Sequence, residues 1–132
     1  MGAKRDSVVI VCGGRDYSDV PALFRVMDEL DAKHNIILLV EGASDDVTGP
    51  YKGADYWARQ WAFARKKERV TERAHWKTEG RAAGPIRNQR MLDRYIPDMV
   101  IAFPGGCGTD SMKGLARKAK VKVVNAFPWM VD

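Results

Sequence analysis

Four short segments combine glycine with residues that hold anions. The first is Pro104-Gly105-Gly106-Cys107-Gly108-Thr109, set between the apolar run DMVIAF and the helix-like MKGLARKA. Glycines let backbone N–H groups approach a ligand with no Cβ in the way. A helix that follows adds unpaired N–H groups and the positive end of its dipole. Thr109 is placed to cap that helix or to donate its hydroxyl to a phosphate oxygen. The spacing is neither the GxGxxG of dinucleotide sites nor the GK[ST] of a P-loop. By pattern alone, a phosphate seat and a plain turn stand about level.

The second segment is Gly13-Gly14-Arg15, which follows the run SVVIVC. Arginine is a bidentate partner for phosphate, and a surface pair with Asp16 or Asp19 is the plainer use. Tyr17 beside it either stacks on a base or packs on its own helix. In the third, Gly84-Pro85 leads into a helix with Arg87, Asn88 and Arg90 in its first turns. Cations there oppose the helix dipole, which points to an anion or a carboxylate nearby. The fourth places Lys52 and Asp55 around Gly53 at a helix start, where Asp55 caps the helix or orients a ligand hydroxyl.

No nucleophile–base pair is visible, neither Ser/His/Asp nor Cys/His. Cys12 and Cys107, with His34 and His75, show no metal-ligand spacing, and no metal or cofactor is expected. Both cysteines read as small residues at a sheet rim, reduced in a cytosol.

Alternating strands and helices must position these segments. SVVIVCGG, NIILLVEG and DMVIAF are short, nearly continuous apolar runs ending at or near glycine, as buried strands do. RVTERAHW is a weaker third strand and VKVVNAF the last. Val20, Leu23, Phe24, Met27 and Leu30 fall at helical spacing, with Ser18 or Asp19 as cap and Pro21 in the first turn. A second helix is expected from Ala54 to Glu68, with Trp57, Trp61 and Ala64 on its apolar face. TEGRAAGP reads as a loop, IRNQRMLDRYI as a helix ended by Pro97, and Met112, Leu115, Ala116 and Ala119 as the face of a last helix.

The expected fold is α/β: a Rossmann-like, doubly wound, mostly parallel sheet of about five strands with helices on both faces. Ligands in such sheets bind beyond the strand carboxyl ends. That rim gathers Gly13 to Arg15, Glu41-Gly42-Ala43, and Pro104 to Thr109.

The chain has 132 residues, 45% hydrophobic and 30% charged, which suits one domain over residues 1–132 with a core of its own. No run is long enough to span a bilayer. The N-terminus lacks a signal peptide's apolar segment, and Asp6 spoils a myristoylation signal begun by Met1-Gly2. A cytoplasmic protein with no membrane partner is expected. The net charge of +5 suits an anionic ligand or, less favoured, nucleic acid. The mixed-sign run ARKKERVTER reads as an exposed helix end.

VVIVCGGRDYSD, then VEGASDD with KGADYWARQWA, then HWKTEGRAAGPIRNQRML, then PDMVIAFPGGCGTDSM resemble the SLOG superfamily, YspA-like type, in that order and over nearly the whole chain. The resemblance implies a Rossmann-like domain that binds a nucleotide or nucleotide-derived ligand, in a bacterial or phage-infected cell. Relatives include the cytokinin-activating phosphoribohydrolases, once called lysine decarboxylases, and DNA-processing proteins of single strands. The implied site is Gly13, Gly14, Arg15, Gly42, Ala43, Lys52, Gly53, Asp55, Arg87, Asn88, Pro104, Gly105, Gly106, Gly108 and Thr109.

Two departures stand out. The phosphoribohydrolases carry PGGxGTxxE, and the glutamate position here is Met112, whose thioether cannot do a carboxylate's work. Their arginine corresponds to Arg87 or Arg90. The usual GGARGAD is here split by an inserted Ser44–Tyr51, with Lys52 where an arginine is expected; a pocket lid or an oligomer contact is the expected use of the insertion. A binding module is therefore the first expectation. A nucleoside 5′-monophosphate hydrolase using Glu41, Asp55 or Asp110 is the second, and single-stranded nucleic-acid binding the third. A homodimer or larger is expected on family grounds; the helix with Trp57 and Trp61 and the tail AFPWMVD offer aromatic surface for it or serve equally as core.

Overall fold

β-Branched runs with both faces apolar form strands that need cover on both sides. In the computed structural model residues 5–43 and 52–126 are described, the Cys107 side chain apart. Five strands, β1 (Ser7–Cys12), β2 (Ile36–Glu41), β3 (Glu68–Thr71), β4 (Met99–Ala102) and β5 (Lys122–Asn125), form one sheet in the order β3-β2-β1-β4-β5. Every pairing is parallel. The period of two divides the core. Val9 and Val11 of β1, with Met99 and Ile101 of β4, face one layer, and Ile10 and Cys12, with Val100 and Ala102, face the other.

Two helices cover the first face: α1 (Val20–His34) through Leu23, Val26 and Met27, and α2 (Ala54–Ala64) through Ala58, Trp61 and Ala62. The second face is covered by α4 (Ala83–Tyr95) through Met91 and Leu92 and by α5 (Cys107–Lys118) through Met112 and Ala116. A four-residue helix, α3 (Trp76–Glu79), and a 3₁₀ turn (Gly80–Ala82) precede α4. The architecture is the expected doubly wound α/β sheet. Asp19 caps α1, its carboxylate accepting from the Ala22 N–H at 3.2 Å, with proline in the first turn.

Two local expectations change and a third narrows. α2 stops at Ala64 rather than Glu68: Lys66 turns left-handed (φ 58°) and the Lys67 N–H closes back on the Ala62 carbonyl at 2.8 Å. That releases Glu68–Thr71 to pair with β2. TEGRAAGP is not a loop but helical almost throughout, because proline sits without penalty in the first turn of a helix. Trp61 is fully buried and donates its indole N–H to Asp28 at 2.8 Å, and Trp57 packs partly against the same core. Trp61 therefore serves the core, while Trp57 is only partly covered. The Ser44–Tyr51 insertion, the tail beyond Ala126 and the Met1-Gly2 start lie outside the described residues. Among the described residues no helix is long and apolar enough to cross a membrane.

Glu72, just past β3, fastens α4. Its carboxylate accepts from Arg90 (3.1 Å), Arg94 (2.9 Å) and the Tyr95 hydroxyl (2.9 Å). Burial pushes its pKa up, but the Tyr95 and Arg90 hydrogen bonds and the Arg94 charge outweigh this and hold it below 4.5. A depressed native pKa stabilises the fold above the unfolded value and loses that contribution as pH falls through the native one. Acid denaturation of Glu72→Gln is therefore expected to show a shallower loss of stability below pH 4.5. Unfolding free energies at a series of pH values check this; parallel curves for the two proteins would contradict it.

Candidate functional site

In a 3-2-1-4-5 sheet the chain reverses its winding direction between β1 and β4, and the two strand exits diverge to opposite faces. Here the exits are pinned together. The Gly14 N–H donates to the Pro104 carbonyl at 2.8 Å, and the Gly14 carbonyl accepts from the Ala54 N–H at 3.0 Å. The approach is close enough to require glycine. A Cβ on Gly13 would lie 2.5 Å from the Ala54 Cβ, and one on Gly105 would lie 2.6 Å from the Gly14 nitrogen and strike the Thr109 hydroxyl. Around Gly106 and Gly108 there is open space.

The glycines thus do two different jobs. Gly13, Gly14 and Gly105 let three backbone segments touch, while Gly106 and Gly108 leave room in front of α5. Gly13→Ala and Gly105→Ala are expected to destabilise the fold by about 1–3 kcal/mol through overpacking. Gly106→Ala and Gly108→Ala should leave stability within about 0.5 kcal/mol. Urea denaturation separates the two pairs, and equal costs at all four positions would refute the division.

The open side is a cavity of about 500 Å³, within the range that holds small ligands. Of the expected residues, Gly13, Gly14, Arg15, Gly42, Ala43, Asp55, Arg87, Asn88, Gly106, Gly108 and Thr109 line it. Four others do not. Lys52 reaches Asp16 at 2.6 Å on the surface, and Gly53 turns the chain into α2 at φ 97°. Pro104 and Gly105 sit behind the rim as packing and carbonyl partners.

The three candidate carboxylates separate. Asp55, buried in the first turn of α2, lines the cavity. Asp110 is exposed in the first turn of α5, where its charge suits the helix dipole, and lies outside the lining. Glu41 is fully buried and engaged elsewhere. It accepts from Arg59 (3.1 and 3.2 Å), from the Thr71 hydroxyl and from the Ala43 N–H (2.7 Å). Glu41 thereby holds Ala43 in its left-handed turn (φ 56°) at the cavity edge. Met112 is fully buried in the apolar layer beneath α5 and does not line the cavity.

The arginines separate as well. Arg90 is bound to Glu72 and to the Arg73 carbonyl. Arg87 points the other way, over β2, donating to the Gly42 carbonyl and, at 2.9 Å, to the Asn88 side chain. A Cβ on Gly42 would run into this guanidinium. Asn88 in turn donates to the Gly108 carbonyl at 3.3 Å, linking α4 to the start of α5. Burial pulls the Arg87 pKa below that of an ordinary arginine, against the favourable charges of Asp55 and Glu41. Arg87 is thus a partly desolvated cation at the cavity wall.

Among the described residues of the lining, the charged ones are three arginines (Arg15, Arg81, Arg87) and one carboxylate (Asp55). α5 begins at Gly106 without a side-chain cap, so its first N–H groups are left for another acceptor. Cys12 lies at the floor. Burial, then the Asp55 charge, push its thiol up to about 12, so it stays neutral and is a poor nucleophile. Among the described residues no cluster of His, Cys, Asp and Glu is arranged to hold a metal ion.

Sequence reasoning missed Trp76, Arg81 and Ser111, all of which line the cavity together with Gly84 and Pro85. Trp76 was submerged in an expected strand and Arg81 in an expected loop; a helical reading of residues 76–82 is the signal that exposes both.

The YspA, cpYpsA-related SLOG family matches residues 7–78, which carry β1 through β3 and most of α3, and hence Gly13, Gly14, Arg15, Gly42, Ala43 and Asp55. The Gene 61 protein of Mycobacterium phage D29 is 32% identical over 125 residues, covering 89% of this chain and 94% of that protein. With the parallel sheet, the crossed strand exits and these two matches in hand, the chain belongs to the YspA, cpYpsA-related SLOG family.

Proposed function

We propose that the protein binds a nucleotide or nucleotide-derived phosphate at the carboxyl edge of its sheet. The observation that carries this reading is the cavity between the β1 and β4 exits. It joins an uncapped helix start, spacious glycines and a partly desolvated arginine on one lining. The phosphate sits against Gly106, Gly108 and Thr109, and Arg87 and Arg15 supply opposite charge. Asp55 accepts from a sugar hydroxyl. Family membership supports a nucleotide-related ligand.

Thermal shift of the purified protein against a panel of nucleoside phosphates tests the proposal. A ligand at 100 times its Kd adds about 2.7 kcal/mol of stability, so a true ligand raises the midpoint visibly. No shift with any phosphate compound would sink the proposal.

One observation favours a hydrolytic reading of the same site: Asp55 alone of the three candidate carboxylates lines the cavity. On that reading Asp55 replaces the glutamate whose position is Met112, and free base is released from a nucleoside 5′-monophosphate. Base release that disappears in Asp55→Asn supports it, and ligand binding without base release leaves a binding module. On family grounds the protein works as a homo-oligomer, and a monomer mass in light scattering would remove that.

A further inference from the structure

The segment Trp76–Ala82 buries none of its residues. A helix of four residues and a 3₁₀ turn that contribute nothing to the core need another reason to exist. What they contribute is cavity wall: Trp76 and Arg81 both line it. Trp76 is 50% exposed, although burying such a ring is among the most favourable things a fold can do with it. Its tip rests on the first turn of α4, the Cη2 atom lying 3.3 Å from where a Cβ on Gly84 would stand. The absent side chain at Gly84 lets the ring sit down on the helix, and the rest of the ring stays open.

Position then decides what the ring can meet. Trp76 follows β3, and the glycine loop follows β4. α4 links the two, its Gly84 under the Trp76 ring and its Asn88 donating to the Gly108 carbonyl at 3.3 Å. The lining therefore presents an aromatic ring as well as the backbone N–H groups at the start of α5. A bare phosphate or a sugar phosphate would use only the N–H groups.

We infer that Trp76 is a stacking platform for a planar heterocyclic base, and that it makes the site select a nucleoside phosphate over the same sugar phosphate without a base. The inference rests on the binding reading above and adds the residue that sets specificity. Arg81, which lines the same cavity, is available to the edge of the base.

The test uses the intact protein and three probes: adenosine 5′-monophosphate, ribose 5-phosphate and inorganic phosphate, each titrated by calorimetry. Wild type is expected to bind the adenosine compound roughly 5- to 100-fold tighter than ribose 5-phosphate, the usual worth of one base on one aromatic ring. Trp76→Ala should abolish that preference while leaving ribose 5-phosphate affinity unchanged, and Trp76→Phe should keep most of it. A flat ring on a base also quenches indole emission, so the quench on adding the adenosine compound should vanish in Trp76→Phe although three other tryptophans remain.

Equal wild-type affinities for the two sugar phosphates would overturn the inference and leave the binding proposal standing. So would a preference untouched in Trp76→Ala, or a loss of affinity shared equally by both probes, which marks a merely structural ring. No binding of any of the three probes to wild type would overturn the binding proposal and the inference together.

Discussion

Arg59→Met is expected to lower the stability of the fold by about 3–5 kcal/mol, the usual cost of leaving one member of a buried ion pair alone. Its partner Glu41 is fully buried, and Arg59 itself is 18% exposed. Among the described residues, the two guanidinium hydrogen bonds supply the only full positive charge among the hydrogen bonds to that carboxylate; Thr71 and the Ala43 N–H supply neutral donors. Those neutral bonds soften the loss but cannot replace a charge. Arg59→Met with Glu41→Leu should recover most of the stability, because a paired apolar substitution removes the desolvation cost along with the attraction.

Recovery of the fold should not restore the site. Ala43 keeps its left-handed turn through the Glu41 carboxylate, so the double variant is expected to hold ligand less well than wild type. Urea denaturation reads the first effect and ligand titration the second. A loss below about 1 kcal/mol in Arg59→Met would mean that Glu41 is not held as a buried charge.

Arg87→Ala is expected to weaken binding of a nucleoside monophosphate by at least about 30-fold, or 2 kcal/mol, as when one partner of a buried charged contact is truncated. A cation that the fold has already partly stripped of water gains most from an anion, since it has less hydration left to lose. Its effect on stability should be small, because the Gly42 carbonyl it leaves faces the cavity, where water can take over. Arg87→Lys should restore only part of the affinity. One ammonium cannot hold the Gly42 carbonyl, the Asn88 side chain and a phosphate in the geometry of a planar guanidinium. Unchanged affinity in Arg87→Ala would remove Arg87 from the site, and Arg90→Ala serves as the control, since Arg90 belongs to the Glu72 cluster.

The sequence by itself determined the sheet and most of the helices. Runs such as VVIVC and MVIA carry both apolar faces within a few residues, and Val20, Leu23, Met27 and their neighbours carry a helical period. Such patterns are local, so a short window contains all the information that produces the element. Pro21, Asp19 and the strand-end glycines punctuate them. The sequence also placed the glycine loops at one rim, because consecutive parallel strands must all exit on the same side.

Only the tertiary structure decided how those loops meet. Gly105 demands glycine because Gly13 and Gly14 lie against it, and no pattern within either loop holds that contact of some ninety residues in sequence. The resemblance pointed to Arg87, but helical spacing alone does not separate it from Arg90: three residues apart on one helix, they leave in different directions because Glu72 waits on one side and the Gly42 carbonyl on the other. Glu41 looked like a catalytic carboxylate until α2 brought Arg59 across it, and Trp76 looked like part of a strand until β3 ended at Thr71. Each of these roles depends on which side chain another element delivers, and strand order, not local pattern, sets that delivery.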